Sequence, residues 1–264
     1  MDKFIVPLSS PVAIDVSTFG AKAANLAKAT QLGFAVPAGL AVSRLIKKED
    51  FVSVAKEIIK KLKLPVAVRS SAVKEDSESK AFAGVFETCL GIRSTDDLLK
   101  AFTTVKNSGS TNLVEKYHGE TITQDYIGVL IQRMVNASRA GVAFSRDPVT
   151  GDPKVIIESN YGLGKSVVDG DVTPDSIECL NDGTSSIFVG RKSIQITLAD
   201  NGVQTQNTPE EDTTRCSLID DEIKEIENLT KRVESELGFA ADIEWAFDEK
   251  GVLWLLQARP ITTI

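Results

Sequence analysis

Apolar positions repeat with helical spacing along two long stretches of the chain. Phe51, Val54, Ile58, Ile59 and Leu62 share one face of a helix predicted over 45–64, with a lysine-rich opposite face and Pro65 as its stop. Leu218, Ile219, Ile223, Ile226, Leu229, Val233 and Leu237 mark a second helix, predicted with Ser217 as its cap, an acidic first turn and Gly238 as its end. An alanine-rich run after Ser17-Thr-Phe-Gly20 favours a third, stopped by Gly33. Ser94, with Asp96 and Asp97 behind it, caps a fourth that runs to about Lys106.

Other stretches carry strand patterns. Phe34 to Ser43 reads as extended, and Val66-Ala-Val68 as a short buried strand with Arg69-Ser-Ser71 emerging at its end. Val85 to Leu90 alternates after a polar loop over 73–83 and Gly84, while 127–135 is a near-continuous apolar run. Ala140 to Ser145 and Val155 to Glu158 are joined by turn chemistry at 146–151. Strands at 175–180 and 187–198 flank Asn181-Asp-Gly183. Tyr161-Gly-Leu-Gly-Lys-Ser166 is not a P-loop, because Ser159 stands where that motif needs its first glycine. The tract from Gly91 to Tyr126 beyond the capped helix is the least informative part.

The last pattern is a hairpin, 242–247 and 252–260, around Asp248-Glu-Lys-Gly251. If Phe247 pairs with Val252, Glu244 lies opposite Leu255, and Leu253, Leu255, Gln257 and Arg259 share its face. Glu244 and Gln257 become diagonal neighbours roughly 7–8 Å apart. A carboxylate and an amide oxygen are hard ligands suited to Mg²⁺, and Arg259 offers a phosphate fork. On these residues alone, a hairpin whose polar face is solvated is the better explanation.

The composition is that of an ordinary globular chain, 42% hydrophobic and 25% charged over 264 residues, long enough for one large domain or two lobes. A net charge of −7 argues against a general nucleic-acid binder. Cys89, Cys179 and Cys216 lack metal-ligand spacing and suit reduced cytoplasmic thiols. No stretch reaches 18 apolar residues, so no membrane span is expected, and Met1-Asp-Lys-Phe4 does not open a signal peptide. Lys22 is oddly placed in a first helical turn, where a cation opposes the helix dipole unless an anion lies beside it.

Eight stretches, in order, resemble one family. They are Gly20-Ala-Lys-Ala-Ala-Asn-Leu26, Val68-Arg-Ser-Ser-Ala72, Phe82-Ala-Gly-Val-Phe-Glu-Thr88, Gln132-Arg-Met-Val135, Gly141-Val-Ala-Phe-Ser-Arg-Asp-Pro148, Gly162-Leu-Gly164, Asp242-Ile-Glu-Trp245 and Gln257-Ala-Arg-Pro260. Together they resemble the ATP-binding domain shared by phosphoenolpyruvate synthase, pyruvate phosphate dikinase and rifampicin phosphotransferase. The resemblance implies an α/β (α+β) two-lobed ATP-grasp fold with ATP between the lobes. The amino-terminal lobe is expected over 1–126, with a covering loop over 73–88, and the second over 127–264.

The same resemblance implies site residues. Lys22 and Arg69 are expected on phosphates, Gly84 and Thr88 in the covering loop, and Gln132, Met134 and Val135 at the adenine edge. Glu244 and Gln257 are expected to bind Mg²⁺, with Arg259 on the phosphates and Asp242 nearby. Lys22, Arg69 and Arg259 would be the catalytic cations. The activity implied is phosphotransfer from ATP, giving AMP and phosphate, to a histidine on a separate swivelling carrier domain or subunit. A further acceptor-binding domain or subunit would serve a final small molecule such as pyruvate. His118, the sole histidine, lacks the carrier context and reads as a surface residue. A non-catalytic ATP-binding regulatory module is the alternative, and an ATP-grasp ligase releasing ADP a third reading.

Overall fold

The computed structural model describes residues 4–73, 87–108, 127–180 and 183–262. The chain forms two compact units, 1–134 and 135–264. The expected boundary at 126/127 falls just before a strand that hydrogen-bonds into the first unit's sheet.

The first unit runs β1 (Ile5–Pro7), α1 (Val16–Phe19), α2 (Ala21–Gln31), β2 (Gly39–Val42), α3 (Phe51–Lys61), β3 (Val66–Ala72), β4 (Thr88–Ile92), α4 (Thr95–Asn107) and β5 (Ile127–Arg133). Its five strands are ordered β1-β2-β5-β3-β4 and pair antiparallel throughout. The predicted strand end at Val68 is corrected. β3 continues through Arg69, Ser70 and Ser71 because β5 offers a partner along its whole length, from Val66↔Arg133 to Ala72↔Ile127. Alternation then sends Val66 and Val68 to one face and Arg69 and Ser71 to the other.

The apolar face of this sheet is covered by α3 and α4. Val54, Ile58, Leu98 and Phe102 meet Val68 and Ile131 in one cluster, and the Phe51 and Phe102 rings pack at a tilt with centroids 5.4 Å apart. Each such side chain contributes about 1.5–3 kcal/mol on burial. The helix predicted over 45–64 is shorter at its start, with α3 opening at Phe51. Ser94 caps α4 as expected, its hydroxyl accepting from Asp97 N.

On the other face α2 meets β3 end-on. Gly20 sits at φ +80°, and a Cβ there would lie 1.8 Å from Ser71 O. Both the dihedral and the approach demand glycine. Gly20→Ala is therefore expected to destabilise the first unit by more than about 2 kcal/mol. Urea unfolding checks this, and a loss below about 0.5 kcal/mol would contradict it.

The second unit runs β6 (Ala137–Phe144), β7 (Val155–Tyr161), α5 (Lys165–Val168), β8 (Asp175–Cys179), β9 (Ser185–Phe188), β10 (Ile194–Ala199), β11 (Gly202–Asn207), α6 (Asp220–Leu237), β12 (Ala241–Asp248) and β13 (Leu253–Pro260). Six strands form an antiparallel sheet ordered β13-β12-β6-β7-β8-β9, and β10 with β11 forms a separate hairpin. The polar sequence of β11 gave no strand signal. Helix α6 packs against β7, β12 and β6. Gly238 ends it in a left-handed conformation, as expected.

Ser217 does not cap α6. The cap position is Ile219, whose N–H donates to the Glu222 carboxylate at 3.1 Å. Ser217 is recruited elsewhere: its N and Oγ donate to Asp175 Oδ2 at 2.7 and 2.8 Å. Asp175 Oδ1 accepts from Gly190 N at 3.0 Å and from Lys192 Nζ at 2.6 Å. Both members of this ion pair are fully buried, and Ser159 Oγ adds a hydrogen bond to Ser217 Oγ. The network fastens the chain on either side of the β10–β11 hairpin to the sheet. Among the described residues, no helix is long and apolar enough to cross a membrane.

Candidate functional site

The first unit brings Arg69, Thr88 and Gln132 to one face of its sheet, and the second brings Asp242, Glu244, Gln257 and Arg259 to one face of its own. In the first unit the amino-terminal turn of α2 lies against β3, with Ala23 N donating to Ser71 Oγ at 3.0 Å. Arg69 lies two residues before Ser71 and therefore on the same face. Lys22, in that same helical turn, is buried, as is Arg69, each with 9% exposure. Lys22 is thus no solvated surface lysine, in spite of its unfavourable position relative to the helix dipole.

Gln132 and Thr88 join this face through the register. Gln132 pairs with both Gly39 and Ala67, and Ala67 is two residues from Arg69. Thr88 is the direct partner of Arg69 across the β3–β4 ladder, and it is exposed. Gln132 is 2% exposed, and its Nε2 has no hydrogen-bond partner among the described residues. A buried amide left unsatisfied costs about 1–3 kcal/mol, so this donor suits an acceptor brought by a ligand. Met134 and Val135, just past β5, are half-buried. The Met134 N–H is used by the fold, donating to Pro65 O at 3.0 Å, so a ligand would meet its carbonyl or side chain. Gly84 and His118, with most of the expected covering loop, lie outside the described residues.

In the second unit the expected hairpin register is corrected. Phe247 pairs with Leu253, and the ladder shifts between Glu244 and Trp245, so Glu244 lies directly opposite Gln257. The irregularity absorbs one residue of β13 and moves Leu255 opposite Trp245. Leu253 and Leu255 therefore do not share the face of Glu244. Trp245, Phe247 and Leu255 are buried, whereas Asp242, Glu244, Gln257 and Arg259 form two adjacent cross-strand pairs on the other face. Direct partners bring Cβ atoms to roughly 4.5–5.5 Å, closer than the predicted diagonal.

Asp242 and Arg259 are ion-paired. Arg259 Nε donates to Asp242 Oδ2 at 2.8 Å, and its terminal nitrogen is 2.8 Å from the same oxygen. Burial pushes the Asp242 carboxyl above its ordinary range, Arg259 pulls it back, and Glu244 raises it further. One row over, Glu158 is also raised, mainly by burial and then by the charge of Asp242.

These donors fit a magnesium ion better than a cage metal. No group of three His, Cys, Asp or Glu able to hold a metal occurs among the described residues. A carboxylate and an amide oxygen side by side suffice for Mg²⁺, which completes its shell with water and phosphate oxygens. From sequence, Ser71 stood only as one of two hydroxyls following Arg69, not as the acceptor at the start of α2, and Glu158 was not singled out. Val155-Ile-Ile157 is apolar on both parities, so no alternation in the sequence flagged Glu158.

Comparison with known proteins bears on what binds there. An uncharacterised phosphotransferase, YvkC, of Bacillus subtilis is 32% identical over 93% of this chain and 33% of its own length. A probable phosphoenolpyruvate synthase of Methanothermobacter thermautotrophicus is 35% identical over 75% of this chain and 30% of its own length. The phosphoenolpyruvate synthase of Pyrococcus furiosus is 31% identical over 85% and 30%. The chain thus spans about a third of the length of these relatives. Among solved structures, the D-alanine-D-alanine ligase from Coxiella burnetii aligns with 94% of this chain and 49% of its own, at 12% identity and a TM-score of 0.44. A likeness that loose carries no argument. The family described as pyruvate phosphate dikinase, AMP/ATP-binding domain, matches residues 48–264, a span that includes Arg69, Gln132 and the terminal hairpin, and the chain belongs to that family.

Proposed function

We propose that this chain is the Mg-ATP-binding catalytic part of a dikinase-like phosphotransferase. The observation that supports it best is the cross-strand pair Glu244–Gln257 beside the Asp242–Arg259 ion pair, four polar groups on one face of one hairpin. In this reading Glu244 and Gln257 hold Mg²⁺, which when bound neutralises charge on the transferring phosphoryl group. Arg259, fixed by Asp242, presents its guanidinium to phosphate oxygens. Lys22 and Arg69 hold further phosphate oxygens, and Gly84 and Thr88 belong to a segment that covers them. Gln132, Met134 and Val135 meet the adenine edge, with the Gln132 Nε2 donor satisfied there.

No protein nucleophile is required in such a site. Phosphoryl transfer needs position and charge stabilisation, which fixed cations provide. The β,γ-pyrophosphoryl unit passes to a histidine on a separate carrier domain or subunit as AMP leaves; water then takes the γ-phosphoryl as phosphate, and the remaining phosphoryl group passes to a small acceptor such as pyruvate. The similarity to phosphoenolpyruvate synthases, of which this chain matches about a third, supports the need for those additional parts.

ATP labelled at the β-phosphoryl group, mixed with this chain and a supplied carrier-histidine domain, tests the proposal. Label on the carrier and AMP in solution are expected. ATP binding by calorimetry without AMP under any partner combination would instead identify a regulatory nucleotide-binding module. Release of ADP would overturn the dikinase assignment.

A further inference from the structure

Glu158 stands on the same face of the second unit's sheet as Glu244. β12 pairs with β6 through Glu244↔Val142, and β6 pairs with β7 through Val142↔Glu158. Direct cross-strand partners share a face, so Gln257, Glu244, Val142 and Glu158 form one continuous row. Adjacent strands lie about 4.8 Å apart, which sets the Glu158 and Glu244 backbones roughly 10 Å from each other. Val142, the residue between them, is half-buried and apolar.

The charge balance of this face is uneven. Asp242 is matched by Arg259, and Glu178, one strand beyond Glu158, is matched by Lys154 at 3.1 Å. Glu158 is half-buried, and burial together with the Asp242 charge lifts its carboxyl above the usual range. Its ionised form is therefore disfavoured in the cation-free protein and favoured by a positive charge in front of the row.

We propose that Glu158 is a positioning residue for the divalent cation held by Glu244 and Gln257, acting through space along the row rather than as a ligand. This inference rests on the reading of Glu244 and Gln257 as the cation ligands. A single charge roughly 10 Å from a divalent ion, in a partly solvated setting, changes its affinity about three- to tenfold. The same carboxylate disfavours the cation-free state, so its effects on cation affinity and on unliganded stability have opposite signs.

The test is Mn²⁺ binding in the presence of ATP, followed by paramagnetic resonance of the free ion, with thermal unfolding of each variant without nucleotide. Glu158→Gln is expected to weaken Mn²⁺ about three- to tenfold at low salt, and the difference is expected to shrink as salt shortens the screening length below about 10 Å. Glu158→Asp is expected to recover most of the affinity. Without cation, Glu158→Gln is expected to be as stable as the parent or more so. Reduced stability with unchanged Mn²⁺ affinity would mark a packing role and overturn the proposal, as would unchanged affinity alone. Glu244→Gln run alongside separates the two failures: if it too binds Mn²⁺ like the parent, the assignment of the ligands themselves falls.

Discussion

Glu244→Ala is expected to lower phosphoryl transfer from ATP to a carrier histidine by about two to three orders of magnitude, the range for loss of one preorganised electrostatic group. Glu244 is the sole charged member of the Glu244–Gln257 pair, and an amide oxygen alone is a weak holder of Mg²⁺. The loss should lie in the divalent-dependent part of ATP binding. It should leave folding nearly unchanged, because Glu244 is half-exposed on a surface face of the sheet. AMP formation at saturating ATP with a supplied carrier domain measures the first effect, and a thermal melt the second. A rate within about tenfold of the parent would remove Glu244 from the machinery, because it falls well short of the typical loss for such a group.

Asp175→Ala is expected to have the largest effect on stability, about 3–5 kcal/mol, because it leaves Lys192 charged and buried without its partner. It also strips acceptors from Gly190 N and from both donors of Ser217. Both tryptophans, Trp245 and Trp254, lie in the second unit, so their fluorescence in a urea titration reports that unit's unfolding directly. The double change Asp175→Leu with Lys192→Met removes both charges at once and is expected to cost less than the single one. A single-variant loss under about 1 kcal/mol would show that water reaches the pair and that the network is not a fastening.

The helices and most strands were legible because their signals are local. Ser94 with Asp97, the apolar stripe of α6 and its glycine stop each depend on residues within a turn or two. The terminal hairpin was legible for the same reason, and so was the pairing of a carboxylate with an amide on it. Its register was not. The shift between Glu244 and Trp245 sets Trp245 opposite Leu255, both buried, a pairing that the hairpin's turn and alternation do not indicate. The extension of β3 through Arg69 to Ala72 likewise followed from the length of β5, about sixty residues away. Ser217 was misassigned as a cap because the helix opens later than its apolar stripe suggests, with Ile219 at the cap position, and Ser217 donates instead to Asp175, distant in sequence.

The sequence by itself determined the family, the α/β class and the residue types that can meet a nucleotide and a hard cation, since these are fixed by side-chain chemistry and short-range pattern. Only the tertiary structure decided that Gln257 faces Glu244 directly, that Asp242 holds Arg259, that Gln132 is buried with an unsatisfied donor, and that Glu158 stands in the row beside them. Those facts depend on which strands lie side by side. That choice is made by burial and pairing summed over the whole sheet, and no local window of the chain contains it.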